Sequence, residues 1–332
     1  MKRDGYLIAR IADPDNLRLA FWKAKRGKSA KAEVILYEQT LDHNLMDLRR
    51  QLLTGDVLVG NYHYFKIYDP KERQICAAAF SERVLHHALM NVCHDNFEKY
   101  QIFDSYASRL GKGTFAALER ASTFQKKYQW FLKLDVRKYF DSISHPVLKS
   151  LLRKRFKDIK LLAIFEAIID SYHVQAERGV PIGNLTSQYF ANHYLATSDH
   201  FIKEKLNIKA YTRYMDDMVL WANSKDELIE KGNALTQFID SELGLVLKPF
   251  CLNSCSEGLP YLGYVIYPNT IHLSRNSVSR FTKKLKKYDQ NLTKHIWNQS
   301  QYQRHVLPLV SFVKHANSFG FRTQWLADNH TG

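Results

Sequence analysis

Two adjacent carboxylates lie where the chain is predicted to turn. Asp216 and Asp217 follow Tyr214-Met215 and precede the apolar run Met218-Val219-Leu220-Trp221. This pattern predicts a β-hairpin over residues 210–222 with both carboxylates at its tip. Neighbouring anions beside buried strands are unfavourable unless a cation compensates them. The pair therefore indicates either ordinary Asp turn chemistry or a cation site.

A third carboxylate favours the cation site. Asp135 follows the aromatic and apolar stretch 129–134, which predicts a buried strand that ends in an acid. Three carboxylates at neighbouring strand ends form the hard oxygen ligand set that magnesium prefers, with water and substrate phosphates as its remaining ligands. Two such ions, about 4 Å apart, can activate a 3′-hydroxyl and stabilise a leaving pyrophosphate. The chemistry indicated is nucleotidyl transfer.

The charge of the chain indicates what such a site would act on. The 332 residues carry 48 Lys and Arg against 33 Asp and Glu, a formal net charge of +15. This excess favours a polyanionic partner, because each cation that neutralises a phosphate also releases condensed counterions. Residues 271–332 hold ten Lys and Arg against two Asp, and their densest group is Lys283, Lys284, Lys286 and Lys287. Nucleic acid is the partner indicated, with a merely solvated basic surface as the alternative.

The apolar residues predict a globular protein. They make up 45% of the sequence, which is enough to bury a sizeable core. No run of 18 or more apolar residues is present, and the initial MKRDGYLIAR lacks the apolar stretch of a secretory signal. We therefore expect a cytoplasmic protein without a membrane partner.

Hydrophobic periodicity indicates the elements that position the carboxylates. Apolar residues at helical spacing predict one helix over 80–97 and another from about 187 to 206. Ser144 followed by Pro146 predicts a capped helix start. Helices alternate with strands and one hairpin, which favours an α+β fold with helices on one face of a sheet.

Three segments resemble the motifs of the reverse transcriptase family. Residues 135–140, Asp-Val-Arg-Lys-Tyr-Phe, are similar to the family's first palm motif. Residues 183–188 are similar to the second motif, and Tyr214-Met215-Asp216-Asp217 resembles its YxDD box. The resemblance implies a right-hand polymerase fold of fingers, palm and thumb, with an antiparallel palm sheet backed by helices and a short helical thumb. The implied domains are 1–128 for the fingers and leading palm helix, 129–254 for the palm with a helical fingers insertion near 146–180, and 255–332 for the primer grip and thumb.

The same resemblance implies an RNA-directed DNA polymerase and assigns its site. The implied partners are template RNA, the RNA–DNA duplex and dNTPs, and the implied cofactor is a pair of Mg²⁺ ions, with Mn²⁺ as a substitute. The implied metal-site residues are Asp135, Val136, Asp216 and Asp217, and Lys248 lies where the family places a basic residue near the departing pyrophosphate. Arg73, with Lys71 as a second candidate, resembles the fingers residue that holds the triphosphate. The implied primer grip is Tyr261-Leu262-Gly263, and the lysine group 283–287 is expected to bind the duplex.

Phe140 indicates which sugar the polymerase would accept. An aromatic ring beneath the sugar would fill the space that a ribose 2′-hydroxyl needs, so ribonucleotides would be rejected by overlap and by an unsatisfied polar group. The expected product is DNA. The alternative is an ordinary core phenylalanine beside Tyr139.

The second motif indicates a particular branch of the family. Residues 179–188 read GVPIGNLTSQ, with Ile182 before Gly183 and Gln188 at the end, where most of the family has Gln and Pro. This form, with the segments 81–89 and 105–114, resembles the reverse transcriptases of diversity-generating retroelements. That resemblance implies copying of a template repeat with errors at adenines, helped by a basic, oligomeric accessory variability protein and a structured retroelement RNA.

Ile182 offers a physical reason for error. Ile182, Gly183 and Gln188 are predicted nucleotide-binding residues. The branched apolar side chain of Ile182 cannot make the hydrogen bond to the nascent pair that the usual Gln could make. Discrimination by packing alone is worth only about 1–3 kcal/mol per feature. The alternative is that Ile182 is a packing variant.

Two other functions remain open on the sequence. A group II intron-like or phage-defence reverse transcriptase would share the palm but use another template. A catalytically silent nucleic-acid-binding scaffold would keep the palm for its shape, although nothing obliges a scaffold to retain three unfavourable anions.

Overall fold

The structure is a computed structural model that describes residues 5–68 and 72–330. The helices that precede residue 130 are α1 (Leu7–Ile11), α2 (Pro14–Lys25), α3 (Ala32–Gln39), α4 (Leu41–Thr54), α5 (Phe80–Glu98) and α6 (Thr114–Lys127). The central helices are α7 (Tyr139–Ser142), α8 (His145–Arg155), α9 (Ile159–Asp170), α10 (Leu185–His200), which continues into a π-helical turn Phe201–Lys205, and α11 (Lys225–Leu243). The last are α12 (Arg275–Thr293), α13 (Gln299–Lys314) and α14 (Phe319–His330).

Within the described ranges the strands form three antiparallel sheets. The strands are β1 (Tyr62–Tyr68), β2 (Glu72–Ala78), β3 (Trp130–Leu134), β4 (Tyr211–Tyr214), β5 (Asp217–Ala222), β6 (Cys251–Ser254), β7 (Leu259–Tyr261), β8 (Tyr264–Ile266) and β9 (Ile271–Leu273). One sheet pairs β1 with β2, one has the order β4-β5-β3-β6, and one has the order β7-β8-β9. The mixture of helices with antiparallel strands confirms the predicted α+β class.

The described chain divides into two compact units that alternate along the sequence. The first comprises the described parts of Met1–Phe103, Asp135–Asn207 and Ala234–Lys248. The second comprises Asp104–Leu134, Ile208–Asn233 and the described part of Pro249–Gly332. The division into fingers, palm and thumb at residues 128 and 254 stays a prediction.

The first unit is built around buried aromatic rings. Phe156 lies 5.2 Å from Phe97 and 5.4 Å from Phe165, measured between ring centroids. Phe165 lies 5.3 Å from Phe190 of α10. The pairs of Phe165 with Phe156 and Phe190 are edge-to-face, a geometry that adds about 0.5–1.5 kcal/mol beyond area burial. Together these ring contacts fix α5, α9 and α10 as one support for the segments that carry candidate site residues.

The second unit packs helices and the three-stranded sheet against the four-stranded sheet. Phe131 of β3 and Trp221 of β5 are both buried, in one cluster with Tyr264 of β8. The Trp221 indole donates a hydrogen bond of 2.9 Å to the side-chain carbonyl of Gln125. Burying a tryptophan with its N–H satisfied avoids the penalty of an unpaired donor. The sheet is therefore held firmly at β3, which precedes Asp135, and at β5, which begins with Asp217.

Most of the predicted elements are confirmed. The helix predicted over 80–97 is α5, and the hairpin predicted over 210–222 is β4 with β5. The helix start predicted at Ser144 is also found, but the Ser144 side chain caps no N–H group. Pro146 lies in the first turn and has no N–H to donate, which removes one of the usual capping partners.

Across residues 5–68 and 72–330, no helix combines the length and the apolar character that crossing a membrane requires.

Candidate active site

The β4–β5 hairpin presents Asp216 and Asp217 at its tip, as predicted. Tyr214 pairs with Asp217, so Met215 and Asp216 form a two-residue turn. Met215 has φ 53°, a region that side-chain-bearing residues seldom adopt. Its carbonyl accepts a hydrogen bond of 3.1 Å from the guanidinium of Arg213, which is fully buried. A buried cation thus holds the turn in its strained conformation.

Asp217 contacts a cation that sequence reasoning missed. Its Oδ2 lies 3.1 Å from Nζ of Lys133, and both side chains are about a quarter exposed, at 25% and 24%. Lys133 is on β3, where it pairs with Val219 of β5. The pair is more shielded from water than an ordinary surface ion pair, so it is less screened by salt.

Asp135 contacts a second lysine. Its Oδ2 lies 2.5 Å from Nζ of Lys248, between side chains that are 40% and 45% exposed. The backbone reinforces this contact, because the Lys248 N–H donates to the Asp135 carbonyl at 2.9 Å. Next to it, Val136 forms an isolated bridge with Leu247 and is buried. Exposed ion pairs of this kind contribute about 0.2–1 kcal/mol.

Strand register relates Asp135 to the hairpin tip. In the second unit, Leu134 of β3 pairs with Met218 of β5. Asp135 is the residue after Leu134, and Asp217 is the residue before Met218. The antiparallel register therefore sets the last residue of β3, which Asp135 follows in sequence, opposite Met218, which follows Asp217.

The three carboxylates have the donor chemistry of a magnesium site. Carboxylate oxygens are the hard ligands that Mg²⁺ takes. Within residues 5–68 and 72–330, however, no group of three His, Cys, Asp or Glu side chains is arranged to hold a metal ion. Lys133 and Lys248 neutralise two of the three carboxylates in this conformation. The residue types of the three carboxylates fit the ion.

The second-motif loop, Gly179–Asn184, is bonded to strand β2. The Ile182 carbonyl accepts a hydrogen bond of 2.9 Å from the Cys76 N–H. The Asn184 side-chain oxygen accepts one of 3.0 Å from the Ala78 N–H, and Asn184 is buried. The loop that holds Ile182 is thereby tied to the strand that holds Arg73, whose side chain is exposed.

Gly183 has to be a glycine in this loop. Its φ is +122°, which only glycine adopts without strain. A Cβ at this position would lie 2.8 Å from Cγ2 of Ile75 and 3.3 Å from the Cys76 carbonyl oxygen. The second-motif loop can therefore approach β2 closely only because residue 183 has no side chain.

Phe140 is attached to the other end of the same loop. Its carbonyl accepts a hydrogen bond of 2.9 Å from the Val180 N–H. The Phe140 side chain is half-buried, and its ring lies edge-on to Tyr139 at 5.7 Å. The Tyr139 hydroxyl donates a 2.5 Å hydrogen bond to the Ala191 carbonyl, which anchors the short helix α7 to α10.

The predicted primer-grip residues form the turn between β7 and β8. Tyr261 pairs with Tyr264, and the two turn residues Leu262 and Gly263 have φ of 50° and 91°. Two consecutive positive φ angles are the requirement of a tight turn whose twist matches the strands. The Gly263 carbonyl accepts a 2.6 Å hydrogen bond from the Ser277 hydroxyl at the start of α12.

Tyr261 itself is buried at 1% exposure. Burial raises the pKa of its hydroxyl above the usual range for tyrosine, and the negative charge of Asp217 raises that pKa further. The hydroxyl therefore stays neutral.

The remaining predicted residues lie as follows. Lys283, Lys286 and Lys287 are exposed on α12, while Lys284 is half-buried. The helix turns its apolar residues Phe281 and Leu285 inward. Gln188 lies half-buried in the first turn of α10. Lys71 lies outside the described residues.

Three functional candidates were missed by sequence reasoning. Lys133 had a signal, because it stands two residues before Asp135 on a strand and therefore shares its face. Arg213 also had one, since a charged residue inside a strand of a buried hairpin needs a partner. Asn184 had none, because its partner Ala78 is 106 residues away along the chain.

Comparison with known proteins identifies the family. Residues 69–266, more than half of the chain, match the model of the reverse transcriptase (RNA-dependent DNA polymerase) family. The chain belongs to this family.

The relatives include proteins encoded by mobile introns. Protein YkfC of Escherichia coli is 24% identical over 203 residues, which is 55% of this chain and 51% of that protein. The group II intron-encoded protein LtrA of Lactococcus lactis is 24% identical over 139 residues, 40% of this chain and 23% of LtrA. A putative COX1/OXI3 intron 2 protein of Saccharomyces cerevisiae is 21% identical over 165 residues, 48% of this chain and 18% of that protein. The match spans about half or less of each of these relatives.

Solved structures of telomerase show the same fold. Apo telomerase from Candida tropicalis superposes with a TM-score of 0.51 at 14% identity, covering 80% of this chain and 59% of that one. Telomerase from the same organism with a fragment of telomeric RNA gives 0.50 at 14% identity, covering 83% and 56%. These similarities confirm the predicted polymerase fold.

Proposed function

We propose that this chain is an RNA-directed DNA polymerase that uses Asp135, Asp216 and Asp217 as metal ligands. The observation that carries the proposal is the strand register, which pairs Leu134, the residue before Asp135, with Met218, the residue after Asp217. Membership of the reverse transcriptase family supports the reaction. When bound, two divalent ions would activate the primer 3′-hydroxyl and stabilise the leaving pyrophosphate.

The other residues would position the substrates. Arg73, at the exposed start of β2, would bind the triphosphate of the incoming dNTP, because a guanidinium can contact phosphate oxygens in pairs. Lys248, already beside Asp135, would compensate charge on the departing pyrophosphate. The β7–β8 turn would hold the primer, and the α12 lysines would contact backbone phosphates of the RNA–DNA duplex without reading its sequence.

The proposed purpose is mutagenic copying of a template repeat, as in a diversity-generating retroelement. The support is Ile182 and Gln188 in place of the Gln and Pro common in the family. A basic accessory variability protein and a structured retroelement RNA would then be partners. A second candidate is copying of a group II intron, which the similarity to LtrA favours.

Primer extension on an RNA template, followed by sequencing of the product, tests these proposals together. Errors concentrated opposite template adenines would support the retroelement, and an even error spectrum would favour the intron candidate. No incorporation by the purified chain on any primed template with Mg²⁺ or Mn²⁺ would favour a silent scaffold.

Asp216→Asn tests the metal assignment. It should abolish incorporation, because metal ligation needs the carboxylate charge, while RNA binding stays nearly intact because phosphate contacts lie elsewhere. Asp226→Asn is the matched control, since it removes the same charge from an exposed position in the first turn of α11. Near-normal extension by Asp216→Asn would refute the assignment.

A further inference from the structure

Lys133 makes three contacts that link a proposed metal ligand to the proposed primer grip. Its Nζ lies 3.1 Å from Oδ2 of Asp217. The same atom donates a 2.8 Å hydrogen bond to the Pro260 carbonyl of β7. It also lies 5.8 Å from the ring centroid of Tyr261, within the range of a cation–π contact. All four residues belong to the second unit.

The position of each partner explains why a lysine suits this place. Strand β7 is at the edge of its sheet, where main-chain groups on the outer side have no neighbouring strand. Pro260 has no N–H, which edge positions tolerate, and its carbonyl accepts the hydrogen bond from Lys133. An ammonium group has three donors and can serve the carboxylate and the carbonyl at once.

Charge balance gives Lys133 a role toward the metal. Asp217 begins β5 beside buried residues, and an anion there is unfavourable without a compensating cation. Lys133 supplies that cation in the present conformation. A divalent ion on the same carboxylate would compete with Lys133, because the two positive charges repel each other at this distance.

We propose that Lys133 is a positioning residue that occupies Asp217 until a divalent ion displaces it, and that keeps its bond to Pro260 afterwards. Metal binding is thereby linked to the β7–β8 turn, because Lys133, which contacts both Asp217 and Pro260, then keeps only its contacts to β7. This inference rests on the proposed function, since it takes Asp217 to be a metal ligand.

Metal affinity without nucleic acid is the first test, because it does not depend on activity. Lys133→Met keeps the apolar stem and removes the ammonium, so Mn²⁺ should bind the full chain at least threefold more tightly, as measured by electron paramagnetic resonance of unbound Mn²⁺. Lys133→Arg should stay within twofold of the parent. Lys126→Met removes the same charge from an exposed position in the last turn of α6 and should change nothing. Unchanged or weaker Mn²⁺ binding by Lys133→Met would overturn the proposal.

A second pair of variants separates this proposal from the proposed function. If Asp217→Asn leaves Mn²⁺ affinity unchanged, the metal assignment itself fails. If Asp217→Asn weakens binding and Lys133→Met does not tighten it, only the role of Lys133 fails. With Asn at position 217, Lys133→Met should have no further effect, since the competition acts through that carboxylate. If Lys133→Met still tightens Mn²⁺ binding in the Asp217→Asn background, Lys133 acts by general charge repulsion, and its competition with the metal for Asp217 is refuted.

Hydrogen exchange tests the link to the turn. Amides of Leu259–Ile266 should exchange faster in Lys133→Met than in the parent and in Lys126→Met, because Pro260 no longer has its side-chain donor. Lys133→Gln, which can still donate to that carbonyl, should restore part of the protection. Equal exchange in Lys133→Met and the parent would refute the link between metal loading and the turn.

Discussion

The second-motif loop and helix α12 hold their proposed functional residues in different ways. Hydrogen bonds fix the loop at Phe140 on one side and at β2 on the other, and Gly183 packs against Ile75 without a side chain. Helix α12 is fixed by its apolar face and by Ser277, while most of its lysines extend into solvent. Backbone placement suits a contact that must detect geometry, and exposed cations suit contacts that only neutralise phosphate. Changes in the loop should therefore have larger and more specific effects.

Gly183→Ala should have the largest effect of the changes in these two regions. The new Cβ would lie 2.8 Å from Ile75 Cγ2, on a backbone with φ +122°. Overpacking and strain together should lower the free energy of unfolding by about 1–3 kcal/mol and reduce incorporation more than tenfold. Urea unfolding and primer extension measure the two quantities.

The matched control is Gly113→Ala. Gly113 also has a positive φ, +104°, but a Cβ there would meet nothing within 4 Å. Gly113→Ala should lower the free energy of unfolding through backbone strain but should leave incorporation unchanged. Equal effects of the two variants would mean that the close approach of the loop to β2 does not matter.

Phe140→Ala should change the choice of sugar. Its carbonyl bond to Val180 is made by the backbone, so the loop should keep its position when the ring is removed. The preference for deoxynucleotides over ribonucleotides, as a ratio of kcat/KM values, should fall by about 10–100-fold. Tyr139→Phe, which removes the hydroxyl bond to Ala191 and leaves both rings in place, should leave the ratio unchanged. An unchanged ratio in Phe140→Ala would make Phe140 a core residue.

Ile182→Gln should lower misincorporation about tenfold. The Ile182 carbonyl holds β2, so its side chain can change without loss of that bond. A polar group sensitive to pair geometry needs to add only about 1.4 kcal/mol of discrimination to give this factor. The effect should be greatest opposite template adenines, scored by sequencing products from matched RNA templates. Ile182→Leu, which stays apolar, should keep the parent error spectrum, and a parent spectrum in Ile182→Gln as well would remove Ile182 from the fidelity mechanism.

The distance along the chain between contacting residues explains what the sequence could predict. The β4–β5 hairpin follows from apolar strands on either side of Asp216 and Asp217, which is local information. Helix α5 follows in the same way from its spacing of buried residues. The bond from Lys133 to Pro260 joins residues 127 apart, and the bond from Asn184 to Ala78 joins residues 106 apart. No local pattern encodes such contacts, because they arise only when separate elements pack.

For α12, the structure bears on the predicted helix but does not test the predicted function of its lysines. The family resemblance implied a helix that carries Lys283, Lys284, Lys286 and Lys287, and the structure has a helix there with Phe281 and Leu285 turned inward. That these lysines bind nucleic acid stays a prediction, because exposure is equally what a solvated face would show.

The double variant Lys283→Gln with Lys287→Gln should have the smallest effect and tests that remaining question. The two residues are four apart on α12 and both are exposed, so they can contact adjacent phosphates without disturbing the apolar face. Template–primer affinity should fall only a few-fold at low salt and equally for all sequences. The slope of log K against log salt concentration should flatten by up to about 0.9 for each phosphate that the variant no longer neutralises. Lys126→Gln with Lys127→Gln on α6 removes the same two charges and should leave the slope as it was, so equal slopes in parent and α12 variant would assign the α12 lysines to a solvated face.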